Sequence, residues 1–154
     1  MKMEVRFLKR GFFQRLFGIP ATPKSKQQAG WNVSSGMLII DLNKTPELQN
    51  AGNAMRFEGK NLPGRVLVIY GEDKQYRAFE NRCTHVGHRR LDPVPGTRTI
   101  QCCSVGKSTY GFDGNPIYGP APKPIKTYPV QVKGNELHVF LFEQLTESRA
   151  SGSS

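Results

Sequence analysis

No run of about 18 apolar residues occurs anywhere in the chain, so a membrane-spanning helix is not expected. Cysteine is scarce. Its three copies are an odd count that builds no disulfide framework and suits a reducing compartment, so the expected location is cytoplasmic. The N-terminus is positively charged but lacks an apolar core of about 7–15 residues and a small-residue cleavage site, so it does not read as a signal peptide. Lys and Arg outnumber Asp and Glu by 22 to 12, for a net charge of +10. That balance suits acidic partners or an anionic surface. The basic residues are scattered, however, and no helix-turn-helix, zinc-finger or RNA-recognition signature accompanies them, so nucleic-acid binding is not expected. A Ser-His-Asp arrangement, a paired-carboxylate site, a Rossmann glycine pattern and internal repeats are all missing. Gly106-Lys107-Ser108-Thr109 copies the end of a phosphate-binding loop, but the glycine required five residues earlier is Gln101.

What is abundant points to strands and turns. Sixteen Gly and eleven Pro in 154 residues indicate a turn-rich, mostly β domain rather than a helix bundle. Residues 1–20 are the exception. Leu8, Phe12 and Leu16 recur every four positions, with Val5, Phe13 and Phe17 near the same face and Lys2, Arg6, Lys9, Arg10 and Arg15 between them. That spacing predicts a short basic amphipathic helix, ended by Gly18-Ile19-Pro20. Residues 2–18 would suit docking on the domain itself or on a partner subunit. They would also suit peripheral contact with an anionic membrane. Residues 21–30 read as a polar linker, 31–145 as the β domain and 146–154 as a disordered polar tail.

Within the domain, strands are expected at Met37 to Leu42, Ala54 to Glu58, Arg65 to Tyr70, Gln75 to Glu80 and Thr99 to Cys102. A hairpin turn is expected at Gly71 to Lys74. A closing hairpin of Lys126 to Val132 and Glu136 to Phe142 is expected across Lys133-Gly134-Asn135. Thr45-Pro46-Glu47-Leu48 reads as a helical turn capped by Thr45. Short strands with Gly and Pro turns fit an antiparallel barrel or sandwich. His138, on the last strand, reads as a satisfied strand residue.

The chemistry gathers in two loops. All three cysteines and two of the three histidines lie in or beside Asn81-Arg82-Cys83-Thr84-His85-Val86-Gly87 and Gln101-Cys102-Cys103-Ser104-Val105-Gly106-Lys107-Ser108-Thr109-Tyr110. Thiolate and imidazole are the ligands that soft and borderline metals prefer. Residues two apart in an extended loop can point the same way, which suits Cys83 and His85 as a ligand pair, and Gly87 would let the backbone curl in behind them. Adjacent Cys102 and Cys103 diverge in a strand, which makes one of them a candidate core residue. Arg82, Arg89, Arg90, Arg98 and Lys107 crowd the same region against Glu80 and Asp92. A positive tip of that kind draws an acidic partner or a small anion.

The first loop, Cys-x-His-x-Gly, resembles the first cluster-binding box of Rieske [2Fe-2S] proteins. Gly114-Asn115-Pro116-Ile117-Tyr118-Gly119-Pro120-Ala121-Pro122 and Pro124-Ile125-Lys126-Thr127-Tyr128-Pro129-Val130 resemble the family's segments after the second box. The likeness runs from about Arg56 to Phe142. It implies a Rieske-type antiparallel β-sandwich or barrel with two cluster-binding loops, in addition to the short N-terminal helix. In the family, two Cys hold one iron and two His hold the other. Carried over, Cys83 and Cys103 (or Cys102) would ligate the buried iron and His85 the exposed one.

The second box departs from the family's Cys-x-x-His-Gly. With Cys103 as its cysteine, Gly106 stands at the histidine position; with Cys102, Val105 does. The fourth ligand is then open between His88, the second of the adjacent cysteines, a hydroxyl of Ser104 or Ser108, and water or a partner's residue. The resemblance implies a small one-electron carrier working between a reductase and an acceptor. It does not imply a self-contained enzyme, since little chain follows Phe142 to form the family's catalytic domain. Two other readings follow from the same loops. One is a Rieske-fold binding or scaffold module without a cluster. The other is a thiol switch, in which Cys83 and Cys102 or Cys103 form a disulfide across the loops.

Overall fold

A computed structural model describes residues 30–59, 61–84, 90–94, 96–103, 107–120 and 123–142. The amphipathic stretch at 1–20, the linker up to residue 29 and the tail at 146–154 lie outside the described residues.

Among the described residues, twelve strands form three four-stranded antiparallel sheets. The first contains β1 (Trp31–Ser34), β2 (Met37–Asp41), β11 (Val130–Lys133) and β12 (Glu136–Phe140), in the order β1-β2-β12-β11. The second contains β3 (Ala54–Phe57), β4 (Val66–Tyr70), β5 (Tyr76–Glu80) and β10 (Thr127–Tyr128), in the order β10-β5-β4-β3. The third contains β6 (Leu91–Pro93), β7 (Thr99–Cys102), β8 (Thr109–Gly111) and β9 (Pro116–Tyr118), in chain order.

The second sheet is apolar on both faces, and β4 shows why. Val66 and Val68 enter one core cluster with Leu38, Ile40, Leu137 and Val139 of the first sheet. Leu67 and Ile69 enter another with Leu91, Ile100 and Tyr110 of the third. Alternate residues of a strand point to opposite faces. A strand packed on both sides therefore reads as an unbroken apolar run. The domain is an antiparallel β-sandwich in which this middle sheet serves two cores.

Most expected strands are present, β1, β8 and β9 are additional, and three further segments differ from expectation. The segment from Lys126 to Val132 is not one strand. Thr127–Tyr128 pairs with β5, and Val130–Lys133 pairs with β12 in another sheet. Pro129 lies between them; lacking an N–H, it cannot continue a ladder. The turn at Pro46–Gln49 is 3₁₀, with Pro at its start but no cap from Thr45, whose hydroxyl donates to the Asp41 carbonyl at 3.0 Å instead. Leu91 to Pro93, a segment not among the expected strands, is strand β6, with Leu91 opposite Cys102. His138 is only half satisfied. Its Nε2 meets Glu136 Oε1 at 3.0 Å, while Nδ1 is buried without a partner.

Candidate metal centre

Strand β5 delivers the first box and β7 the second. Beyond Glu80, the Asn81 N–H donates to the Arg65 carbonyl at 2.8 Å, which holds the exit from β5 against the start of β4. The Asn81 side-chain oxygen accepts the Leu91 N–H at 2.7 Å, closing the base of the first loop. The second loop closes through the Cys102 N–H and the Ser108 carbonyl at 2.7 Å. Its Lys107 has φ 52, the left-handed region that normally selects glycine, at the position where the family's second box carries glycine. The two loop bases meet where the Cys103 N–H donates to the Arg90 carbonyl at 3.1 Å. The chain after the second box returns as expected through left-handed glycines at 114 and 119. A Cβ on Gly114 would lie 2.7 Å from the Ile125 carbonyl oxygen, so only glycine fits there.

All three cysteines are buried and none forms a disulfide. Cys83 and Cys102 share an apolar cluster with Leu91, Ile100, Tyr110 and Ile125. Cys103 belongs to neither core cluster and lies within electrostatic reach of Arg65 and Arg90. The adjacent cysteines are thus divided, with Cys102 in the β7 ladder and core and Cys103 just past the strand end beside arginines. His85, His88, Ser104 and Gly106 lie outside the described residues. Among the described residues no group of three or more His, Cys, Asp or Glu converges as a metal site.

Tyr110 organises the first box. Its hydroxyl lies 3.5 Å from Cys83 Sγ and 3.0 Å from Thr84 Oγ1, and it accepts the Thr84 N–H at 3.1 Å. Thr84 Oγ1 in turn donates to the Lys123 carbonyl at 2.7 Å, so the single phenol proton has two acceptors in reach, Thr84 Oγ1 and Cys83 Sγ, and an ionised thiolate would be the stronger of the two. Burial, and then the contact with Cys83, push the Tyr110 hydroxyl well above its ordinary pKa against the opposing pull of Thr84. The phenol therefore stays protonated and able to donate. The sequence reading missed this group. Its available signal was a buried aromatic seven residues after Cys103, whose hydroxyl must find a partner.

The charge around the boxes differs from expectation. Arg98 is not at the tip. It precedes β7, so the strand carries it to the end opposite Cys103, where it meets Asp73 Oδ2 at 3.2 Å and stacks on Phe112 with Arg77. Asp92 is 1% exposed and so is no rim acid. Arg65 joins the box region instead, within electrostatic reach of Arg82, Arg90 and Cys103. Glu58 answers this positive group. It accepts from Arg90 Nε at 2.5 Å and Nη2 at 3.0 Å, and from Arg56 Nη1 at 2.8 Å. Burial alone would raise its pKa, but the hydrogen bonds from Arg90 and Arg56 outweigh that and hold it at about 2.

A [2Fe-2S] centre brings sulfide and thiolate sulfur, which accept hydrogen bonds. Two donors of the box segments, Asn81 Nδ2 and Ser108 Oγ, are buried without a partner. An unpaired buried donor costs on the order of 1–3 kcal/mol, and a sulfur-rich group would satisfy it. With Tyr110 beside Cys83, the thiolate half of the site fits such a group. The imidazole half is one residue short, because neither register of the second box supplies a histidine.

A family model described as the Rieske [2Fe-2S] domain matches residues 40–129. The chain is similar to the ferredoxin component of the naphthalene 1,2-dioxygenase system of Pseudomonas aeruginosa, 29% identical over 83 residues, 54% of this chain and 80% of that protein. It is also similar to a solved quaternary ammonium Rieske monooxygenase, at TM-score 0.50 and 21% identity, covering 64% of this chain and 29% of that one. That second likeness is one of fold. A further similar structure is the plasma membrane Rieske protein of the cyanobacterium Synechocystis, at TM-score 0.45 and 27% identity, covering 55% of this chain and 84% of that one. The matched span takes in both boxes and more than half of the sequence, and the chain belongs to the Rieske [2Fe-2S] domain family.

Proposed function

We propose that this protein is a small one-electron carrier of the Rieske ferredoxin type. Its iron-sulfur centre would be held by Cys83 and Cys103 on one iron and by His85 on the other. With Cys102 engaged in the apolar cluster, His88 is the nearest spare imidazole in sequence and our candidate for the fourth position. The observation that carries this reading is the setting of Cys83: a fully buried sulfur beside a protonated Tyr110 hydroxyl, inside a fold whose family match spans both boxes. A [2Fe-2S] cluster supplies a one-electron couple when bound, and imidazole ligation raises its potential above that of an all-thiolate cluster. The chain's own part is to exclude water from the sulfur, to donate a hydrogen bond to it through Tyr110, and to present positive charge.

That charge sets the kind of partner. Arg65 and Arg90 lie within electrostatic reach of Cys103, Arg82 lies within reach of Arg65, and Lys107 stands in the second box. An acidic face of a redox protein is the matching surface, and a small anion is the minimal one. By likeness to the dioxygenase ferredoxin, the partners would be a reductase and an oxygenase component. Among the described residues no helix is long and apolar enough to cross a membrane. We place the carrier in the cytoplasm, with residues 2–18 available for peripheral membrane contact.

The test is reconstitution with iron and sulfide without oxygen, followed by metal analysis, visible absorption and electron paramagnetic resonance. Red-brown protein with about two irons per chain, a rhombic signal on reduction, and loss of colour in His85→Ala supports the carrier. A folded, colourless chain without iron overturns it and leaves a binding module.

A further inference from the structure

We propose that Glu58 is the positioning residue for the second-box thiol, acting through Arg90. Glu58 lies just past β3, far in sequence from both boxes, and its side chain is only 13% exposed. It accepts two hydrogen bonds from the Arg90 guanidinium and one from Arg56. A planar guanidinium on a carboxylate fixes direction as well as distance. Arg90 follows the first box, and its backbone carbonyl accepts the Cys103 N–H. One residue therefore carries both the side-chain clamp to β3 and the backbone anchor of Cys103.

The surrounding charges give the clamp its importance. Arg65 is disfavoured by burial and then by the charges of Arg90 and Arg82. Glu58 is a carboxylate that offsets the charge on Arg65 and Arg90. Without it, Arg90 would turn toward water, and the carbonyl holding Cys103 would lose its fixed direction. The same carboxylate also sits in the electrostatic field of the site. A centre held by Cys103 would gain an electron more easily once that negative charge is gone. The role of Cys103 as a ligand rests on the proposed function, but its anchoring by Glu58 does not.

The experiment is residue-resolved alkylation of the full, metal-free chain in its native state, read by mass spectrometry at all three cysteines. In Glu58→Gln, alkylation of Cys103 should rise about tenfold, equivalent to about 1.4 kcal/mol of easier local opening, while Cys83 and Cys102 keep their rates. Asp73→Asn removes a second carboxylate that carries two arginines, Arg77 and Arg98, at the far end of β7, and should leave Cys103 unchanged. Because Glu58 acts through Arg90, adding Arg90→Gln to Glu58→Gln should raise the Cys103 rate no further than Glu58→Gln alone, and an additive rise overturns the route through Arg90. An unchanged Cys103 rate in Glu58→Gln overturns the proposal. So does an equal rise at all three cysteines, because that reports general destabilisation. None of these outcomes depends on iron. If the chain takes up a cluster, Glu58→Gln should also raise its reduction potential, and a potential that stays or falls removes the electrostatic part of the proposal.

Discussion

The Tyr110 hydroxyl stands 3.5 Å from Cys83 Sγ across 27 positions of sequence, and it takes the Thr84 N–H at 3.1 Å. One phenol thus joins the second-box hairpin to the first box through Cys83 and Thr84. It also brings a proton that burial keeps in place. Tyr110→Phe removes the contacts to Cys83 and Thr84 without changing the ring. The Thr84 N–H loses its acceptor, so we expect a stability loss of about 1–2 kcal/mol, measured by urea denaturation. In iron-loaded protein the same variant should lower the reduction potential, because a hydrogen bond to a ligating sulfur stabilises the more negative, reduced state. An unchanged potential would mean that the hydroxyl serves the loop alone.

Glu58 should make the fold sensitive to acid. Its carboxyl is held at about 2, against an ordinary value of 4.5. A carboxylate with a depressed pKa stabilises the fold fully above the unfolded value. That contribution is lost as pH falls through the folded value, so the window here runs from about 4.5 down to about 2. The side chain is partly solvated, so the full linkage energy is reduced by screening to about 1–2 kcal/mol. Urea midpoints measured from pH 6 down to pH 3 should fall less steeply in Glu58→Gln than in the natural sequence. Parallel curves would show that the carboxylate is equally perturbed in the unfolded chain.

Some of this was readable from the residues and some was not, and the division has a physical basis. The apolar run at Val66–Ile69 announces a strand buried on both faces, and it is one. Gly114 is where a spacing match to the family and a steric requirement coincide. By contrast, Arg98 looks like a neighbour of the second box. A four-residue strand of about 13 Å separates it from Cys103, and neighbours in sequence become opposite ends of a sheet. The Cys83–Tyr110 and Glu58–Arg90 contacts join residues 27 and 32 positions apart, and no local pattern encodes such pairings. Pro129 was visible, but its effect, a segment shared between two sheets, depends on which partner strands lie on either side.

The divided cysteines give a clean comparison. Cys102 sits in the apolar cluster with its N–H in the loop-closing bond to Ser108, whereas Cys103 lies outside both clusters. Cys102→Ser puts a hydroxyl among Leu91, Ile100 and Tyr110, and we expect a loss of about 1–3 kcal/mol in stability with iron uptake retained. Cys103→Ser should cost little stability and abolish iron uptake, because a serine oxygen is a poor substitute for a soft thiolate. Urea denaturation alongside iron and sulfide analysis reads both quantities. If Cys102→Ser is the variant that loses iron, the ligand assignment moves one residue upstream.

The second box offers a direct repair. Counting from Cys103, the position that would complete Cys-x-x-His is Gly106, followed by Lys107 in the left-handed conformation. The turn that would present an imidazole is therefore still signalled at Lys107, while the imidazole itself is missing from the sequence. Gly106→His supplies it. If the natural centre takes its fourth ligand from elsewhere, the variant should bind iron at least as well. Its spectrum should shift toward that of a two-histidine iron, and its reduction potential should not fall. If His88 supplies that ligand in the natural chain, His88→Ala alone should lose colour and the double variant with Gly106→His should regain it. Colour that survives His88→Ala without the added histidine would instead point to water or a partner's side chain at that position. Visible absorption and electron paramagnetic resonance on the three variants decide between these arrangements.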